Sequence, residues 1–142
     1  MDFVPRAATQ ARRKLAAARL TGEVRLSDVT RLEALLGPAP YTLVLDIGCY
    51  HGLSVAQRSA YQDNLGSLLA PGGWFLLYAM WADAAQGTAQ SNSPHLIASH
   101  FGITQVDIDA LSSRLALAKR QDSSDPSGRL ATWLWFQKPA AA

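Results

Sequence analysis

Tyr41-Thr42-Leu43-Val44-Leu45-Asp46-Ile47-Gly48-Cys49-Tyr50-His51-Gly52-Leu53 is the stretch on which the fold turns. Residues 41–45 make a nearly continuous apolar run of strand length, closed by Asp46 and followed by a turn at Gly48. A run without alternation is expected of a strand covered on both faces of a parallel sheet, so this strand is expected in the interior. A phosphate-cradling glycine loop at this place would lead through a helix to a second strand ending in an acid about 20 residues on. The next strand, Trp74 to Tyr78, follows Ala70-Pro71-Gly72-Gly73 and ends without an acid. The stretch therefore belongs later in such a fold, or outside it.

Downstream, Ser54 and Gln57 have capping-box spacing, and Tyr61, Leu65 and Leu68 supply the apolar stripe of a helix. Pro71-Gly72-Gly73 is expected to end that helix and deliver the chain into Trp74–Tyr78, a right-handed parallel crossover. Residues 82–100 are small, polar and without period, as expected of a mobile loop or lid. Thr104 with Asp107 marks a helix running to about Leu111. Leu115–Arg120 and Leu130–Gln137, joined by a short polar connection, predict an antiparallel hairpin. Upstream, Pro5 followed by Ala8, Ala11, Leu15 and Ala18 predicts an amphipathic helix over about residues 5–19. Glu23-Val24-Arg25-Leu26 alternates like a short strand, and a brief helix over Arg31–Leu36 stops at Gly37-Pro38.

At 142 residues, with 49% hydrophobic and 17% charged side chains, the chain is most simply one globular domain. Seven of its 13 basic residues (Arg6, Arg12, Arg13, Lys14, Arg19, Arg25, Arg31) fall in the first 31 positions. No groove-reading motif accompanies them, so a solvated helix face is the simpler account and a nucleic-acid partner is not expected. A single cysteine, Cys49, excludes an internal disulfide framework and suits a reducing, cytoplasmic setting. No apolar run approaches the length of a membrane span, and no metal-ligand spacing of His, Cys and acids is present, so neither membrane nor metal is expected.

Helix, strand, helix, strand, helix, Pro-Gly-Gly turn, strand, helix and terminal antiparallel hairpin resemble, over nearly the whole chain, the S-adenosylmethionine-dependent methyltransferase family. The implied fold is α/β and Rossmann-like, a mostly parallel sheet with a C-terminal antiparallel hairpin. Leu45-Asp46-Ile47-Gly48-Cys49 first suggests the family's glycine loop, but Tyr50 stands where that pattern calls for glycine. The match falls into place if the chain begins at the family's second strand. Residues 1–142 are then a single domain shortened at its N-terminus relative to the family, without its first strand, glycine-rich loop and first helix.

In that register the resemblance implies S-adenosylmethionine as cofactor. Asp2, beside Phe3, would accept from the ribose hydroxyls; Asp28 and Val29 would meet the adenine. Asp46, Ile47, Gly48 and Cys49 would run beside the methionine part. Tyr50 and His51 would face the substrate, a small molecule, with Tyr78 and Trp81 beyond neighbouring strand ends. His51 is the candidate general base, with a hydrogen-bonded loop histidine as the plainer reading. His95 and His100 sit in or near the expected lid. Cys49 reads more simply as a small buried filler than as a nucleophile. Trp133 and Trp135 share one strand face and read as packing. Loss of a central strand would leave two interior edges that must pair with each other or with another chain, which predicts a homo-oligomer or a rearrangement if the chain folds alone. A second reading, from a different class, is a non-catalytic ligand-binding or oligomeric interaction domain. Nucleic-acid modification is a third, resting only on the basic first helix.

Overall fold

A computed structural model describes residues 1–34, 40–82, 101–124 and 128–140. Two layers build its core: one sheet, and two helices packed against it. The strands are β1 (Tyr41–Ile47), β2 (Leu69–Met80), β3 (Ala116–Ser124) and β4 (Leu130–Gln137), in the order β1-β2-β4-β3. β1 runs parallel to β2; β2–β4 and β4–β3 are antiparallel. The expected α/β architecture with its C-terminal hairpin is present.

Helix α2 (Val55–Leu68) connects β1 to β2. Its start is fixed by reciprocal capping: the Gln57 N–H donates to Ser54 Oγ, and the Ser54 N–H donates to Gln57 Oε1. Tyr61, Leu65 and Leu68 lie buried against Phe75, Leu77, Leu134 and Phe136, which alternate along β2 and β4. Helix α3 (Gln105–Ser112) adds Ile108 and Leu111 to the same core. Its first turn is closed by the Asp107 carboxylate, which accepts from the Thr104 N–H and hydroxyl. Helix α1 (Pro5–Ala17) buries only Ala8, and Arg12 Nη2 donates to the Val24 carbonyl across the following turn.

Several expectations need correction. β1 is not covered on both faces: it is the sheet's edge, and Leu43, Leu45 and Ile47 are 54%, 53% and 63% exposed. The parity of Leu43, Leu45 and Ile47 is the apolar one yet lies exposed, while that of Val44 and Asp46 turns inward. Pro71-Gly72-Gly73 does not end the helix, which stops at Leu68 with β2 beginning at Leu69. The turn is instead absorbed as an irregularity, with Tyr41 facing Leu69 while Leu43 already faces Trp74. Glu23–Leu26 is reduced to a single parallel bridge between Leu26 and Asp2. The brief helix is a 3-10 turn over Val29–Ala34, started by Asp28 Oδ1 accepting from the Thr30 N–H and hydroxyl. Leu35 and Leu36, residues 83–100 of the expected lid and residues 125–127 of the hairpin connection lie outside the described residues.

Candidate ligand-binding site

Between the edge of β1 and the N-terminal segment lies a cavity of about 750 Å³, a size typical of small-molecule sites. Asp2, Phe3, Asp28 and Val29 form one wall; Asp46, Ile47, Gly48 and Cys49 form the other. All eight residues expected to meet a cofactor thus line one space. Gln57, Tyr61 and Leu68 of α2, together with Leu53, complete it. The two walls come from distant stretches of chain. The Asp2 side is held by the Asp2 N–H donating to the Arg25 carbonyl (3.1 Å) and the Ser27 N–H donating to the Asp2 carbonyl (2.9 Å). The other follows from the turn that leaves β1.

Asp46 shapes that turn. Its carboxylate is buried and accepts from the Cys49 N–H (2.8 Å) and the Tyr50 N–H (3.1 Å). Burial raises its pKa, against the lowering effect of these amides and of the Tyr61 hydroxyl. Gly48 takes φ +86°, a left-handed value that glycine adopts without strain, which lets the chain double back toward His51. The Cys49 thiol is pushed up to about 11, first by burial and then by the negative charge of Asp46, Asp2 and Asp28. Carboxylates from three separate segments thus act on Cys49, opposed by the positive N-terminus.

The residues expected on the substrate side are not gathered there. Tyr50 is fully buried; its hydroxyl accepts from Gln62 Nε2, its ring packs on Tyr61, and the Arg58 guanidinium lies over it. His51 is buried, its Nδ1 accepts from the Met80 N–H (3.1 Å), and its ring meets Phe101 edge to face. In the neutral ring this acceptor role leaves the proton on Nε2. Burial, then Arg58 and Arg129, lower its pKa. Tyr78 packs on Trp133, and Trp81 lies against the core beneath the Arg120 guanidinium. His95 and His100 are outside the described residues, among which no group of His, Cys, Asp and Glu could hold a metal ion.

The sequence reading missed Arg58 as a structural centre. Its guanidinium is buried, paired with Asp107 at 2.9 Å, and donates through Nη2 to the carbonyls of His51 (3.1 Å) and Gly102 (2.7 Å). It ties the turn beside the cavity to α3. A signal was present: Arg58 stands three residues before Tyr61, on the very stripe that Tyr61, Leu65 and Leu68 bury.

Neither a protein-family model nor a curated protein matches this chain. Solved structures do. N-methyltransferase NodS from Bradyrhizobium japonicum WM9, in complex with S-adenosyl-L-homocysteine, superposes with a TM-score of 0.74 at 16% identity over 97% of this chain. A SAM-dependent methyltransferase from Methanosarcina mazei gives 0.69 at 14% identity over 99%. The fold is that of the S-adenosylmethionine-dependent methyltransferases. A Burkholderia thailandensis 1,6-didemethyltoxoflavin-N1-methyltransferase, with that substrate and S-adenosylhomocysteine bound, gives 0.63 at 20% identity over 95% of this chain. The chain spans 64% of the NodS chain, 81% of the Methanosarcina chain and 57% of the Burkholderia chain.

Proposed function

We propose that the cavity binds S-adenosylmethionine and that the chain belongs to an enzyme methylating a small molecule. The observation that carries this reading is the convergence of Asp2, Asp28 and Asp46 on one cavity that also holds Phe3, Val29, Ile47, Gly48 and Cys49. The donor set suits the ligand. Two oxygens on the Asp2 carboxylate can accept from two vicinal ribose hydroxyls. Val29 offers an apolar contact to a base, and Asp28 an acceptor for its amino group. The three carboxylates complement a ligand that carries a sulfonium and an ammonium.

When bound, S-adenosylmethionine supplies an activated methyl group, which an acceptor nucleophile takes in line as the carbon–sulfur bond breaks. The chain's own contribution is orientation, which can account for much of such a reaction's acceleration. Asp46 holds the Gly48–Cys49 backbone in place, and Asp2 fixes the far end of the ligand. His51 is not assigned as a base, because Nδ1 is already an acceptor for a backbone N–H and Nε2 carries the proton. The small-molecule class of acceptor rests on the Burkholderia neighbour, whose bound substrate is one.

Calorimetric titration with S-adenosylhomocysteine, followed by methyl-transfer assays on small nucleophiles, tests the proposal. Binding with turnover is expected. No heat of binding up to millimolar ligand would refute the cofactor assignment. Binding without transfer to any acceptor would favour the ligand-binding or interaction-domain reading, which the open edge of β1 supports.

A further inference from the structure

The turn that brings Gly48 and Cys49 to the cavity wall is held at both ends. At its start the Asp46 carboxylate accepts from the Cys49 and Tyr50 N–H groups. At its end His51 is fixed twice. Its ring accepts from the Met80 N–H (3.1 Å), and its carbonyl accepts from the Gly102 N–H (2.9 Å) and from Arg58 Nη2 (3.1 Å), which engages both lone pairs of that oxygen.

Gly102 is itself anchored. The Ile103 N–H donates to the Met80 carbonyl and the Ala82 N–H to the Ile103 carbonyl, so this segment crosses the end of β2. The crossing is so close that a side chain at Gly102 would begin 2.4 Å from the Ala82 backbone, and its φ of +99° also calls for glycine. The Gly102 carbonyl then accepts from the same Arg58 Nη2 (2.7 Å), while Nη1 donates to Asp107 of α3 (2.9 Å). One buried guanidinium, seated over the Tyr50 ring, thus joins stretches of chain around residues 51, 102 and 107. A lysine ammonium would keep the charge there but not the two-nitrogen fork. Gly48 and Cys49 line the cavity, and Arg58 does not.

We infer that Arg58 is a positioning residue for the ligand site, holding the Gly48–His51 turn in its binding geometry from behind, through the His51 and Gly102 carbonyls. Its consequence for affinity rests on the cofactor reading of the cavity; its hold on the turn does not. With the fork removed, the end of the turn loses a donor that also ties it to Gly102 and α3, and the turn populates other geometries. A ligand that fits only one of them has its apparent affinity lowered by the fraction of chains in that geometry.

The test uses the full chain carrying Arg58→Lys, which leaves a positive charge beside Asp107, with Arg58→Gln as the second variant should the first not fold. The Cys49 and Tyr50 amide resonances are recorded by NMR in the ligand-free chain, and S-adenosylhomocysteine is then titrated by calorimetry. The inference predicts that both amides move upfield as their bonds to Asp46 loosen, and that Kd rises about tenfold or more. Leu134→Ala, which empties a buried site on β4 away from Arg58, is the control for lost stability: it should lower the unfolding midpoint and leave both readouts in place. Unmoved amides, an affinity unchanged from that of the parent chain, or equal changes in Leu134→Ala would each overturn the inference. Because the amides are read without ligand, a parent chain that binds no S-adenosylhomocysteine would refute the cofactor assignment while the amides still decide the role of Arg58.

Discussion

The half of the molecule around β2, β4, α2 and α3 packs against itself, whereas the half around β1 and the N-terminal segment leaves apolar side chains uncovered beside a cavity. In the first half, alternate side chains of β2 and β4 meet two helices, and the one buried guanidinium described there, Arg58, has a carboxylate and two carbonyls. In the second, apolar side chains lie exposed on an edge strand and three aspartates line one cavity. Packing is thus complete on one side of the molecule and open on the other.

The largest expected effect separates the halves by stability. Phe136, fully buried and stacked on Phe75, should cost about 3–5 kcal/mol when changed to alanine. Ile47→Ala, at the exposed edge, should cost no more than about 0.5 kcal/mol. Urea unfolding of both variants checks this; comparable losses would mean that the β1 edge is covered in the isolated chain and would break the contrast.

Next comes the field in the open half. A thiol held up to about 11 should be alkylated by iodoacetamide at pH 8.5 roughly a hundredfold more slowly than an ordinary cysteine, since only the thiolate reacts. Asp28→Asn removes one of the three negative charges, so it should speed Cys49 alkylation. A rate already equal to that of a free thiol would show that neither burial nor the carboxylates hold the thiol up, and an unchanged rate in Asp28→Asn that Asp28 does not act on it.

Asp2→Ala sharpens the same comparison through binding. It should weaken S-adenosylhomocysteine by about 1.5–3 kcal/mol, as for a lost charge-assisted hydrogen bond, with the unfolding midpoint nearly unchanged. An unaltered affinity would remove Asp2 from the ligand's contacts.

The smallest effect belongs to the closed half and to pH. Because folding lowers the pKa of His51, the unfolded chain binds the extra proton below about pH 6.5, and stability must fall as pH falls from about 7.5 to 6. Asp46, shifted upward by burial, acts in the opposite sense. His51→Asn, which keeps an acceptor for the Met80 N–H, should flatten the slope seen in thermal unfolding; an equal slope would place the titration elsewhere.

Much of this was legible in the sequence wherever the cause is local. Capping residues at Ser54 and Thr104, the stripe of Tyr61, Leu65 and Leu68, and the alternation of Leu130–Gln137 each follow from contacts within a few residues of chain. β1 was misjudged because an apolar run records what both faces could bury, and whether a second layer and a neighbouring strand are present is a non-local fact. Tyr50 and His51 were expected at a substrate for the same reason: they follow a strand end, but the Asp46 turn sends both side chains inward. The eight cavity residues came from resemblance to a family pattern, since nothing local in Asp2-Phe3 or Asp28-Val29 says that they meet the end of β1. Arg58 could have been read from its place on an apolar stripe, though not its partners, which lie far along the chain at Gly102 and Asp107.

The central claim is that the space between β1 and the Asp2 segment is the ligand site. Titration of the isotope-labelled chain with S-adenosylhomocysteine, followed amide by amide in NMR spectra, tests it most directly. The account predicts saturable shifts at Phe3, Val29, Gly48 and Cys49 while Trp133 and Trp135 stay in place. No shifts up to millimolar ligand, or shifts centred on the tryptophan face of β4, would contradict it.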